Sequence, residues 1–170
     1  MKASTSEALY EQGVRCLNSD DLPGATVHFR DLLQQDPKHV LGWHALGECL
    51  FKAQKLDASR IAFKKAVELN PAHWPAWFNL GLLYQDAAQL DEAQAAYRMA
   101  LQHQAMHEPS HLNLATVLQE VSNLDAAWPH YQAAYLSNPH AIGRIANALS
   151  SAPQGQLFLN LDSLKARLAS

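Results

Sequence analysis

The chain has 170 residues, 48% hydrophobic and 17% charged, with a formal net charge of −3 and a pI near 6.3. That balance lacks the basic footprint of a nucleic-acid binder, and no run approaches the roughly 20 apolar residues of a membrane span. Cys16 and Cys49 have no partner at metal or redox spacing, so buried thiols in a reducing compartment are expected.

The first stretch, MKASTSEALYEQG, has no apolar run of the signal-peptide kind, and a cytoplasmic protein is the default expectation. Residues 1–5 read as a short extension. From residue 6 onward the chain repeats itself with a period of 34 residues. Gly13, Gly47, Gly81 and Ala115 share one phase, and Leu22, Leu56, Leu90 and Leu124 another. Ala25, Ser59, Ala93 and Ala127 form a third; Phe29, Phe63, Tyr97 and Tyr131 form a fourth. Units 6–39, 40–73, 74–107 and 108–141 follow without a gap. Pro37, Pro71 and Pro139 close their units, and Ala105 stands in for proline once. A period of this length marks stacked supersecondary units.

Each unit carries two apolar patterns at helical spacing with a short turn between them. In the third unit the first pattern runs Trp77, Leu80, Gly81, Tyr84 and the second Ala93, Tyr97, Ala100, Leu101. Small residues at the glycine and alanine phases let two helices approach closely while the aromatics fill the space beside them. Asp57, Asp91 and Asp125 recur where the second helix begins, suited to its electropositive end. One such hairpin cannot bury its own apolar face, so neighbours must stack.

The third unit also reads WFNLGLLY over 77–84, followed by Ala93, Tyr97 and Ala100. This W-x2-L-G-x2-Y pattern with A-x3-Y resembles the tetratricopeptide repeat. The second unit matches closely through Trp43, Gly47, Ser59 and Phe63; the first and fourth are looser, with Leu9 and His111 at the tryptophan phase and Gln12 at a leucine phase. The resemblance implies an all-α, right-handed superhelix (an α-α solenoid) of helix-turn-helix repeats, with a concave groove lined by the first helix of each.

At the junction of the third and fourth units stands HEPSH, residues 107–111, a match to the zinc-protease pattern H-E-x-x-H. Pro109 disfavours helical geometry at Glu108, which breaks the turn that both histidines would need. Leu114 and Val117 occupy the positions where an extended zinc motif places glycine and a third histidine. His111 has a simpler role as the packing ring of the tryptophan phase. His103 and His107 are read as solvated histidines at a helix end. Neither metal nor cofactor is expected.

Residues 142–170 read as a partial fifth repeat and a capping helix. Residues 142–151 resemble a first helix, SAPQG at 151–155 breaks the chain, and Leu157, Leu161, Leu164 and Leu168 then recur at helical steps with Lys165 and Arg167 on the polar side. Pro129 lies inside the second helix of the fourth unit, where a bend is expected.

By the phase that the family uses for its groove, the first helices offer Glu7, Tyr10, Glu11 and Leu17 in unit one, and Leu41, His44, Glu48, Phe51 and Lys52 in unit two. They offer Phe78, Asn79, Leu82, Gln85 and Asp86 in unit three, and Leu112, Asn113, Gln119 and Glu120 in unit four. Asn79 and Asn113 share the sixth place, and Asn147 continues the phase. A primary amide supplies one acceptor and two donors, so three at repeat spacing can hold an extended peptide backbone, as the resemblance implies. The groove set carries five acids (Glu7, Glu11, Glu48, Asp86, Glu120) against Lys52. A protein or peptide with basic and apolar side chains is the complementary partner. No lysine or arginine occupies the places that a carboxylate-clamping repeat would use. Arg60, Lys64 and Lys65 are assigned to a solvated outer face.

The expectation is a non-enzymatic adaptor or scaffold, a monomer or weak homo-oligomer, that engages neither nucleic acid nor membrane. The alternatives are the substrate-docking region of a larger glycosyltransferase or methyltransferase, and a self-assembling scaffold.

Overall fold

Leu22, Leu56, Leu90 and Leu124, equivalent by sequence, each open the second helix of a pair in the computed structural model, which describes residues 5–151 and 161–169. The first helices are α1 (Thr5–Asn18), α3 (Val40–Lys52), α5 (Trp74–Asp86) and α7 (Glu108–Glu120). Their partners are α2 (Leu22–Gln35), α4 (Leu56–Leu69), α6 (Leu90–His103) and α8 (Leu124–Ser137). A 3-10 turn, Pro139–Ala141, leads into α9 (Ile142–Ser151), and α10 (Leu161–Ala169) follows. The architecture is all-α: an α-α solenoid of helix-turn-helix pairs with a C-terminal capping helix.

Each hairpin turns in the same way. Asp20, Gln54, Ala88 and Ser122 adopt the left-handed conformation, with φ of 61°, 59°, 55° and 62°. The next residue's amide then reaches back to satisfy a carbonyl that the ending helix leaves open. These bonds run from Asp21 to Cys16, Lys55 to Leu50, Gln89 to Tyr84 and Asn123 to Leu118, at 2.8, 2.8, 2.8 and 2.9 Å. Second helices start from Asp21 and Asn123 with side-chain caps onto the Gly24 and Ala126 amides. Asp57, Asp91 and Asp125 sit in the first turns of α4, α6 and α8.

The chain divides into two compact units, Met1–Leu80 and Gly81–Ser170. In the first, Phe29, Leu32, Ala45, Leu46, Cys49, Leu50 and Ala62 form a buried core against which Leu9, Val14 and Trp43 pack. Gly47 permits this approach, since a Cβ there would lie 2.6 Å from the Phe63 ring. Ser59 adds a buried hydrogen bond, donating to the Gly47 carbonyl at 2.8 Å.

In the second unit Tyr97, Leu114, Val117, Tyr131, Ile145 and Leu149 are buried. The capping helix α10 lies against α8 and α9, burying Leu164 and Leu168 and setting the Arg167 guanidinium 4.5 Å from the Trp128 ring centre. Leu157 and residues 152–155 of the expected chain break fall outside the described residues. Helix α8 runs on through Pro129 from Leu124 to Ser137.

Candidate partner-binding surface

In the first unit, side chains from α1, α3 and α5, with His39 and His73 just before α3 and α5, gather around the rings of Tyr10 and His44. Tyr10 of α1 packs against Phe29 and His39, with ring centres 5.9 and 5.3 Å apart. His44 of α3 sits 5.5 Å from Phe63 and meets His73 edge-on at 4.8 Å. The Asn79 amide donates to His44 Nε2 at 3.2 Å, so the ring hydrogen resides on Nδ1, which faces Glu48 Oε2 at 3.9 Å. Burial, assisted by His73, lowers the His44 pKa to about 4, and the ring is neutral at pH 7. Burial also raises the Glu48 carboxyl, which Lys52 partly offsets, and raises the Tyr10 phenol with a further push from Glu48. His44, Glu48 and Asn79, three of the sequence-derived groove residues, thus form one connected group, while Tyr10 packs on Phe29 and His39. Glu11, Phe51 and Lys52 are exposed, and Phe78 is half-buried.

In the second unit Asn113 is half-buried and donates to the Tyr97 hydroxyl at 3.4 Å. Asp86, Glu120 and Asn147 are exposed and Leu82 is half-buried, whereas Leu112 is buried at 7% exposure and offers a partner little surface. Gln85 and Gln119, also at groove places, are committed inward. Gln85 Oε1 accepts from the Tyr97 hydroxyl at 2.9 Å and Gln119 Oε1 from Tyr131 at 2.7 Å.

HEPSH resolves into packing. His107, extended at φ −75° and ψ 95°, precedes α7, while Glu108 is the first helical residue. The break therefore lies one residue earlier than the proline rule places it. His111 Nε2 donates to the Ala105 carbonyl at 2.9 Å, the same bond that Trp43 and Trp77 make to Pro37 and Pro71 at 2.9 and 2.8 Å. Its Nδ1 meets His130 Nδ1 at 3.0 Å, and His107 Nδ1 meets the Ser110 hydroxyl at 2.7 Å. Both nitrogens of His111 are occupied by protein. Glu108 turns to Arg144, 2.7 Å away, and to Asn138.

Comparison with known proteins agrees with this geometry. Two models of the tetratricopeptide repeat match the chain, one over residues 40–73 and one over residues 62–95. The chain therefore carries tetratricopeptide repeats (TPRs) over residues 40–95. Its fold is similar to that of MamA, at 19% identity over 98% of this chain and 87% of that one, with a TM-score of 0.81. MamA 41-end from Desulfovibrio magneticus RS-1 is similar at 22% identity over 79% of this chain and 76% of that one, with a TM-score of 0.70. YrrB, a TPR protein with an unusual peptide-binding site, is similar at 15% identity over 82% and 72%, with a TM-score of 0.74.

The TPR phase contains two features that the sequence reading passed over. His39, His73 and His107 recur at the last place of their repeats. His39 caps α3 by accepting from the Gly42 amide at 2.9 Å, and His73 packs on His44. The glutamines at 85 and 119 appear only in the repeats whose second helix carries tyrosine; Leu17 and Phe51 replace them where it carries phenylalanine. That pairing was legible in the sequence, because a buried phenol requires an acceptor.

Proposed function

We propose that the chain is a non-enzymatic protein-interaction module that captures an extended segment of a partner along the first helices of its repeats. The observation that carries this reading is the state of Asn79 and Asn113. Each amide commits one N–H internally, to His44 and to the Tyr97 hydroxyl, which leaves an acceptor and a second donor for a peptide backbone. Asn147, exposed on α9, continues the same phase. The exposed acids Glu7, Glu11, Asp86 and Glu120 favour basic side chains on that segment, and Phe51, 37% exposed, favours apolar ones. The peptide-binding site of YrrB supports a peptide ligand for this fold. The free thiols of Cys16 and Cys49 fit a reducing, cytoplasmic setting.

The test is selection of binders from a displayed random peptide library, then fluorescence anisotropy of the selected peptide on wild type and on Asn79→Ala/Asn113→Ala. With one backbone hydrogen bond lost per amide at about 1 kcal/mol each, the double variant is expected to bind ~30-fold more weakly. It should still unfold cooperatively, at a melting temperature lowered by loss of the contacts to His44 and Tyr97. Equal affinity for both proteins would remove the asparagines from the mechanism.

A further inference from the structure

Tyr10 lines two cavities of the first unit. One, of about 490 Å³, is bounded by Ser6, Glu7, Tyr10, Asp36, His39 and Leu41. The other, of about 340 Å³, is bounded by Tyr10, Glu11, Val14 and Arg15. We propose that the larger cavity is a recognition pocket for a lysine or arginine side chain of the bound segment, a refinement that rests on the peptide-capture reading above.

The pocket combines the Asp36 and Glu7 carboxylates with an aromatic pair. Tyr10 and His39 stand 5.3 Å apart with their planes inclined by 37°, giving an aromatic wall on which the stem or head of a cationic side chain can lie. His39 Nδ1 accepts from the Gly42 amide, so this ring nitrogen carries no hydrogen and the wall is held in place by the cap of α3. Leu41, 47% exposed, adds an apolar contact for a methylene stem. Asp36 ends α2, with Oδ1 accepting from the Lys38 amide at 3.1 Å, which fixes the carboxylate against the backbone. An acidic side chain would be repelled by these carboxylates, and a neutral one would gain no ion pair from them. The smaller cavity, with Tyr10, Val14 and the stem of Arg15, suits an apolar neighbour of the cation. Arg15 is turned back on its own helix, donating from Nε to the Glu11 carbonyl at 3.4 Å.

The experiment uses the full chain and the same displayed library. Wild type is compared with Glu7→Gln/Asp36→Asn, in which shape is preserved and the amide introduced at position 36 keeps an oxygen for the Lys38 N–H. The fold already tolerates that arrangement, since Asn70 accepts from the Ala72 amide in the same way at 3.0 Å. Wild type is expected to enrich lysine or arginine at one fixed position next to an apolar residue. The double variant is expected to lose that enrichment and to bind the wild-type-selected peptide about tenfold more weakly, a difference that shrinks at high salt. Peptides selected without a fixed cation, or a cation preference unchanged in the variant, would overturn the pocket while leaving peptide capture intact. Failure of wild type to select any peptide would overturn peptide capture itself, and the pocket with it.

Discussion

The pairing of Gln85 with Tyr97 can be tested by converting the third repeat to the form of the first two. Tyr97 is fully buried, its hydroxyl donates to Gln85 Oε1 at 2.9 Å, and burial pushes the phenol's ionisation far up. Gln85→Leu leaves that buried hydroxyl without its acceptor, a cost of about 2 kcal/mol. Tyr97→Phe leaves a half-buried amide oxygen that water can reach, and loses the long 3.4 Å contact from Asn113, for about 1 kcal/mol. The double variant recreates the Leu17/Phe29 pair, in which neither position has a polar group to satisfy. Its cost should be below about 1 kcal/mol, so the cycle should show a coupling of about 2 kcal/mol. Urea unfolding at constant m-value measures all four proteins. A double variant as unstable as the sum of the singles, about 3 kcal/mol, would refute the claim that the glutamine is there for the phenol.

Acid should weaken the fold. His44 and His130 have folded pKa values of about 4 against an unfolded 6.5, so between those limits the unfolded chain binds protons that the folded chain does not, and stability falls as pH drops. His44 faces Glu48 and His73; His130 is lowered by burial, His111 and Arg98. Burial raises Glu48, which opposes the loss at the acid end of the window. Melting temperature measured from about pH 7.5 to about pH 4.5 should fall, less steeply in His44→Gln, and a flat profile would contradict this account. Gly47→Ala should destabilise by about 1–2 kcal/mol, because the new Cβ meets the Phe63 ring at 2.6 Å, an overlap that outweighs the gain in helix propensity. Gly143→Ala, with nothing within 4 Å, should instead stabilise by about 0.5 kcal/mol in the same denaturation assay. Ala88→Gly, at φ 55°, should relieve left-handed strain and raise stability by up to about 1 kcal/mol; a loss would show that the turn needs its methyl group.

The helix pairs were legible because equivalent residues recur every 34 positions and each recurrence has a packing reason. Gly47 lies under Phe63, Ser59 bonds the Gly47 carbonyl, and the indoles of Trp43 and Trp77 bond the carbonyls of Pro37 and Pro71. The candidate surface was legible only in part. Phase placed Leu112 and Gln119 beside Asn113 and Glu120, but phase states which side of a helix a residue occupies and not what its neighbours require. Leu112 is covered by packing, and Gln119 is drawn inward by the Tyr131 hydroxyl, a demand that arises on a different helix. The His44–Asn79 bond was invisible for a similar reason. It joins successive repeats through a ring whose tautomer is set by the amide it meets.

Departures from the repeat therefore fall into two kinds. Some come with a structural partner that explains them. His111 replaces a tryptophan and keeps its bond to residue 105, where Ala105 replaces a proline and still offers the carbonyl; Gln85 accompanies Tyr97, and Gln119 accompanies Tyr131. Folding alone accounts for these. Others carry more than the fold uses. Asp36 brings a charge to the mouth of the Tyr10 pocket, although Asn70 and Asn138 make the same turn bond with a neutral amide. Leu41 stands exposed at the start of α3, which forgoes the burial that an apolar side chain would otherwise gain. A binding partner that covers Leu41 and meets the charge of Asp36 supplies both missing gains. This places the search for function on the Tyr10 side of the first unit rather than at HEPSH.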